Sequence, residues 1–115
     1  MADRPFPTEL VRSSTDLVLL ALLTHRAMYG YEILVTLEER GNGGFRFKQG
    51  TLYPLLYRLE REGWIRGHEQ EPATGKRRKV YRVTAAGRSE LGRRVEDWRR
   101  HTAAVEAILD ECLGA

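Results

Sequence analysis

Trp64-Ile65-Arg66-Gly67-His68-Glu69-Gln70-Glu71-Pro72-Ala73-Thr74-Gly75-Lys76-Arg77-Arg78-Lys79-Val80-Tyr81-Arg82-Val83-Thr84 is the stretch on which the fold turns. Its two ends, Trp64 to Glu69 and Lys79 to Val83, have strand character, and in the second Tyr81 and Val83 alternate with Val80, Arg82 and Thr84. Between them Pro72, Thr74 and Gly75 are turn formers, so Gln70 to Arg78 reads as the turn of a β-hairpin. Tip and second strand carry Lys76, Arg77, Arg78 and Lys79. Strand alternation sends four adjacent cations to both sides of a hairpin, so two or three per chain are expected to meet the same polyanion.

Three helical segments precede the hairpin. Pro5 and Pro7 introduce a stretch in which Leu10, Leu17, Leu20 and Leu23 recur at helical spacing, which predicts a first helix from about Thr8 to His25. Leu17 to Leu23 is apolar all round and is the expected centre of the core. Tyr29-Gly30 breaks the pattern, and from Tyr31 the residues Ile33, Leu34 and Leu37 mark a second helix. It stops at Gly41-Asn42-Gly43-Gly44, a run suited to left-handed conformations and lacking the flanking residues of a phosphate loop. A third helix is marked by Leu52, Leu55, Leu56 and Leu59 and ends at Gly63, with Gln49 to Tyr53 at its N-terminal end. Pro54 constrains its start, and Thr51 is expected at the N-cap or within one turn of it. Three helices followed by a basic hairpin is the order of a winged helix-turn-helix.

After the hairpin Thr84 can cap a long final helix, in which Leu91, Val95, Trp98, Thr102, Val105, Leu109 and Cys112 alternate spacings of four and three. A helix of this length cannot bury its whole seam on a small domain, so the seam is expected to meet a partner helix in a homodimer. The alternative is a helix folded back on its own core. Gly87 and Gly92 weaken its first turns by roughly 1 kcal/mol each relative to alanine. The expected class is mainly α with a small β-hairpin: a winged helix-turn-helix over residues 1–83 and a dimerisation helix over 84–115, forming one unit.

Composition narrows the function. The 115 residues fit one domain, and 42% hydrophobic with 30% charged residues is ordinary for a soluble globular chain. The longest apolar run, Leu17 to Leu23, is far short of the ~20 residues a membrane span needs, and the first five residues do not resemble a signal peptide, so a cytoplasmic protein without a membrane partner is expected. One cysteine, Cys112, excludes an internal disulfide, and His25, His68 and His101 have no metal-ligand spacing, so no metal or other cofactor is expected. Without a nucleophile paired to a base, or a cofactor fingerprint, an enzyme is not expected. Charge is segregated: residues 1–75 carry nine basic and ten acidic groups, 76–104 ten basic and three acidic, and the last eleven residues three acidic groups and no basic one. Such a basic block is the footprint of a polyanion binder.

Tyr29-Gly30-Tyr31-Glu32-Ile33, Thr51-Leu52-Tyr53-Pro54-Leu55-Leu56-Tyr57-Arg58-Leu59-Glu60 and Gly75-Lys76-Arg77-Arg78-Lys79-Val80-Tyr81-Arg82-Val83-Thr84, in this order and followed by Ala86-Gly87 and a Trp-bearing helix, resemble the PadR family of transcriptional regulators, in particular its short members with one C-terminal helix. The resemblance covers nearly the whole chain. It implies a dimeric repressor whose third helix enters the major groove and whose wing lies along the backbone or minor groove. It also implies that small, often planar aromatic, molecules are held between subunits in some members.

The residues supply chemistry for each role. At the third helix Gln49 can pair with adenine, Thr51 can contact a thymine methyl or a phosphate, and Tyr53 can donate to phosphate, with Lys48 and Arg58 adding charge. Capping for Thr51 and half-buried packing for Tyr53 are the alternatives, and Tyr57 is expected to pack. Two recognition helices related by a dimer axis call for a pseudo-palindromic DNA site. Trp98, mid-seam, offers a wall for a planar aromatic or hydrophobic ligand at the dimer interface, lined by Ser13, Leu17, Val95 and Thr102 with His101 and Arg94 as polar rim; the alternative is that Trp98 only fills the interface. The dimer contacts expected are Leu91, Val95, Trp98, Thr102, Val105 and Leu109. A ligand-independent architectural DNA-binding or protein-interaction module is the competing reading.

Overall fold

A computed structural model describes residues 4–70 and 78–114. Helix α1 spans Thr8–His25, strand β1 Met28–Tyr29, helix α2 Gly30–Arg40, helix α3 Gln49–Arg61, strand β2 Ile65–Gln70, strand β3 Arg78–Val83 and helix α4 Ala85–Leu113. This is a mostly helical winged helix-turn-helix with a small antiparallel sheet and a long C-terminal helix. The expected turn residues Lys76 and Arg77 lie outside the described residues.

The hairpin is the larger part of a three-stranded sheet of order β1-β3-β2. Met28 pairs with Tyr81 and Tyr29 with Val80, while β2 runs against β3 from Ile65 opposite Val83 to Gln70 opposite Arg78. As the central strand, β3 buries both Val80 and Tyr81, so the simple alternation read from its sequence is interrupted there. Burial pushes the Tyr81 hydroxyl up to about 12.

Leu19, Leu20, Met28, Ile33, Leu52, Leu56, Leu59 and Ile65 are the largest fully buried side chains, drawn from α1, β1, α2, α3 and β2. Within Leu17 to Leu23 only Leu19, Leu20 and Leu23 are buried; Leu17, Val18 and Leu22 are half-buried and Ala21 is exposed. The helix stops follow backbone chemistry. Asn42 and Gly43 adopt positive φ of 54° and 78° after α2, and Gly63 82° after α3. Helix α3 begins at Gln49, within the expected N-terminal end: Lys48 is the N-cap, Thr51 stands within one turn of it, and Pro54 sits inside the helix. Pro54 supplies no N–H, so the carbonyl of exposed Gly50 has no helical partner.

Thr84 caps α4 as expected, accepting from the Gly87 N–H at 3.0 Å, while its own hydroxyl donates to the Gly63 carbonyl at 2.6 Å. The two glycines of this helix differ. A Cβ on Gly92 would meet open space, whereas one on Gly87 would run into the Trp64 carbonyl oxygen, with the Val83 Cγ2 at 2.8 Å. Helix α4 has 29 residues, about 44 Å at 1.5 Å per residue, and its first half packs on α1. Leu91, Arg94, Val95, Trp98 and Thr102 are half-buried there. From Ala103 to Gly114 every residue is exposed, including Ile108 at 62% and Leu113 at 74%.

Candidate nucleic-acid interface

Leu52, Leu56 and Leu59 hold one face of α3 in the core and so turn Gln49, Thr51, Tyr53 and Tyr57 outward. The first turn carries no acidic side chain and no side chain caps it; the Thr51 and Leu52 N–H groups donate to the Lys48 carbonyl at 2.9 and 3.0 Å, and the positive dipole end, with the exposed Gln49 and Gly50 at its start, faces outward for an external acceptor. Lys48 is exposed beside them. Tyr57, expected to pack, is 64% exposed, with the Arg61 guanidinium 6.0 Å from its ring centre. It lies about 100° around the helix from Leu56, which puts it beyond the buried stripe.

Tyr53 is fixed from the side by α2. A Cβ on Gly30 would collide with the Tyr53 hydroxyl and come within 2.7 Å of its ring carbons, so glycine here is what lets the two helices seat the tyrosine. The same corner is a cleft of about 420 Å³ walled by Tyr29, Gly30, Tyr31, Glu32, Tyr53, Arg78 and Lys79. Glu32 does not repel an anion there with a free charge. It accepts the Tyr29 N–H at 2.8 Å and the Arg26 guanidinium at 3.0 Å, and the Tyr29 N–H, ahead of Arg26, holds its carboxyl below the usual carboxylate range.

Of the described wing cations, the Arg78 guanidinium lies 5.0 Å over the Tyr29 ring, on the cleft side. Lys79 is paired with Glu60 of α3 at 3.2 Å and lies 5.5 Å over the Tyr81 ring. Glu60 also accepts the Gly67 N–H at 3.1 Å and so ties both wing strands to the end of α3. Arg58 is bidentate to Asp16 of α1, at 2.6 and 3.1 Å. That bond raises the Arg58 pKa above its ordinary value.

A second concavity of about 250 Å³ lies between α1 and α4, walled by Ser13, Leu17, Arg94, Asp97, Trp98 and His101. Ser13, Leu17 and Trp98, singled out from sequence as ligand residues, are brought together here, with Arg94 and His101 beside them. Asp97 was not foreseen. Val95 and Thr102 do not line the concavity; the Thr102 hydroxyl donates to the Trp98 carbonyl at 2.9 Å. An apolar groove of about 220 Å³ is formed by Val18, Ala21, Leu22, Leu37, Arg40, Gly41 and Phe45.

The model of the transcriptional regulator PadR-like family matches residues 19–93, from the buried half of α1 through the wing into α4. The chain belongs to the PadR-like family. It is therefore a DNA-binding transcriptional regulator and not an enzyme. It is 43% identical over 77 residues to the transcriptional regulator Rv3488 of Mycobacterium tuberculosis, covering 67% of this chain and 64% of that one. It is 31% identical over 94 residues to the negative transcriptional regulator PadR of Bacillus subtilis, covering 81% of this chain and half of that one. A crystal structure of a PadR-like regulator from Bacillus cereus superposes with a TM-score of 0.79 at 25% identity, over 89% of this chain and 97% of that one. A regulator from Clostridium thermocellum gives the same TM-score at 28% identity, over 87% and 97%. Among the described residues of this PadR-like chain no helix is long and apolar enough to cross a membrane.

Proposed function

We propose that this PadR-like chain is a homodimeric repressor. Two copies of α3 read a pseudo-palindromic operator through Gln49, Thr51 and Tyr53, with Lys48, Arg78 and the wing residues Lys76 and Arg77 on phosphates. A planar aromatic or hydrophobic ligand at Trp98 relieves repression. Residues 84–115 act as the dimerisation helix and residues 1–83 as the DNA-binding unit.

The observation that carries the dimer is the second half of α4. Val105, Ile108, Leu109 and Leu113 are 40%, 62%, 42% and 74% exposed, a run of apolar side chains that a chain in water covers. The half-buried Leu17, Val18 and Leu22 with exposed Ala21 offer a matching surface on α1. The name of the Bacillus subtilis relative, a negative regulator, supports repression. Arg58 and Lys79 contribute less charge to DNA than their sequence positions suggested, because Asp16 and Glu60 already hold them.

If the dimer neutralises about six phosphates, log K falls with log salt at a slope near −5, a loss of about a thousandfold between 50 and 200 mM. Fluorescence anisotropy on the DNA upstream of its own gene, with excess unrelated DNA, tests the reading. A steep salt response and survival in competitor support it. A flat response, or loss to competitor on every sequence enriched from a random pool, favours an architectural protein.

A further inference from the structure

Asp16 sits where three helices meet. Its carboxylate is on α1 with the side chain 15% exposed, and it takes a bidentate pair from Arg58 of α3 and a longer contact, 3.4 Å, from the Arg94 Nη1 of α4. Arg94 is itself held on three sides: it lies 4.9 Å over the Trp64 ring, its Nε donates to Glu90 at 2.5 Å, and it forms one wall of the Trp98 concavity. Ser13 and Leu17, the α1 walls of that concavity, lie three residues before and one after Asp16. The residues bridged are 42 and 78 positions from Asp16, so no local helical geometry explains the cluster. A carboxylate shared by two guanidiniums binds each according to where the other sits. A displacement of Arg94 therefore reaches Arg58, whose backbone is the third turn of α3.

We propose that Asp16 is a positioning residue that couples α4 at the Trp98 concavity to the seat of α3 on DNA, acting through Arg94 on one side and Arg58 on the other. This rests on the DNA-binding reading of α3 given above. It adds the route by which a change at α4 alters that binding.

The sign of one substitution separates this role from simple electrostatics. Asp16→Asn removes a negative charge, which by charge alone tightens binding to DNA. Loss of positioning weakens it, and we expect at least a fivefold loss, in the range of ordinary coupling between sites. Asp16→Glu, which keeps the charge, recovers part of the affinity. Arg94→Gln weakens binding in the wild-type background and has no further effect in Asp16→Asn. The DNA is a fragment enriched by the wild-type chain from a random-sequence pool. A second readout uses no DNA: in amide NMR spectra, Arg94→Gln shifts the signals of Gln49–Arg61 when Asp16 is present and leaves them in place when it is asparagine. Unchanged or tighter DNA binding by Asp16→Asn, or α3 amides indifferent to Arg94→Gln, overturns the proposal, as does a fall in melting temperature with both readouts unmoved. Failure of the wild type to enrich any DNA overturns the reading of α3 instead, and the NMR comparison still decides the coupling.

Discussion

Gly87 and Gly92 stand five residues apart on one helix, and the same substitution should have opposite effects on them. In each case alanine gains about 1 kcal/mol of helix propensity. At Gly92 the new methyl meets nothing within 4 Å, so the gain is kept. At Gly87 it meets the Trp64 carbonyl oxygen, a backbone atom that cannot rotate aside. That carbonyl is pinned because it accepts the Thr84 N–H at 3.0 Å, and the Thr84 hydroxyl in turn holds the Gly63 carbonyl at 2.6 Å. Relief requires the start of α4 to lift from the wing, an overpacking cost of about 1–3 kcal/mol or more. The net expectation is a gain of about 1 kcal/mol for Gly92→Ala and a loss of up to about 2 kcal/mol for Gly87→Ala. Near 4–8 °C per kcal/mol for a domain of this size, a difference of about 1–3 kcal/mol separates the two melting temperatures by at least about 4 °C. Thermal unfolding by circular dichroism at one protomer concentration measures this, since association shifts apparent stability. Equal stabilisation by both substitutions would refute the close approach of α4 to Trp64.

The remaining predictions concern charge and association. Tyr81 is neutral when buried, so the folded chain holds that proton more tightly than the unfolded one. The associated stability is intact below pH 10 and about 2–3 kcal/mol of it is lost as pH rises toward about 12. Tyr81→Phe should lack this alkaline loss, which urea titrations at pH 8 and 11 would reveal. Glu32 has the opposite sign: its lowered pKa contributes stability above the ordinary carboxylate range that is lost as pH falls through the folded value. Wild type should exceed Glu32→Gln by about 1 kcal/mol or less at pH 7, and the gap should close in acid. Ile108→Lys places a charge in the exposed seam of α4, and sedimentation should show it shifting dimer to monomer with the helical circular dichroism retained. Gly30→Ala displaces Tyr53, so it should weaken DNA binding by about tenfold in anisotropy while the salt slope stays the same, because Tyr53 is neutral and no cation is removed.

The helices were readable because leucines at spacings of three and four also bury: Leu52, Leu56 and Leu59 are all at 0% exposure. Strand β1 was not, since two residues are too few for any period and its pairing depends on β3, more than fifty residues away. Tyr57 misled because an aromatic side chain was read by its chemistry instead of its angle around α3. The concavity at Trp98 was legible in outline, as Ser13 and Leu17 lie one turn apart on α1 and Arg94 and His101 flank Trp98 at helical spacings. Val95 and Thr102 do not line it because, at 100° per residue, they lie on the opposite side of Trp98 from Arg94 and His101 around α4. The partners of Arg58 and Lys79 were invisible: each looked like a cation free for phosphate until the fold brought Asp16 and Glu60 beside them.

The central claim is that two copies of α3 meet one DNA site across a dimer axis. Hydroxyl-radical footprinting of the wild-type chain on its selected DNA tests it most directly. Two protected patches of related sequence, with centres about 34 Å or one helical turn apart, are the predicted result. Protection of a single half-site, at a concentration that saturates the DNA, would contradict it.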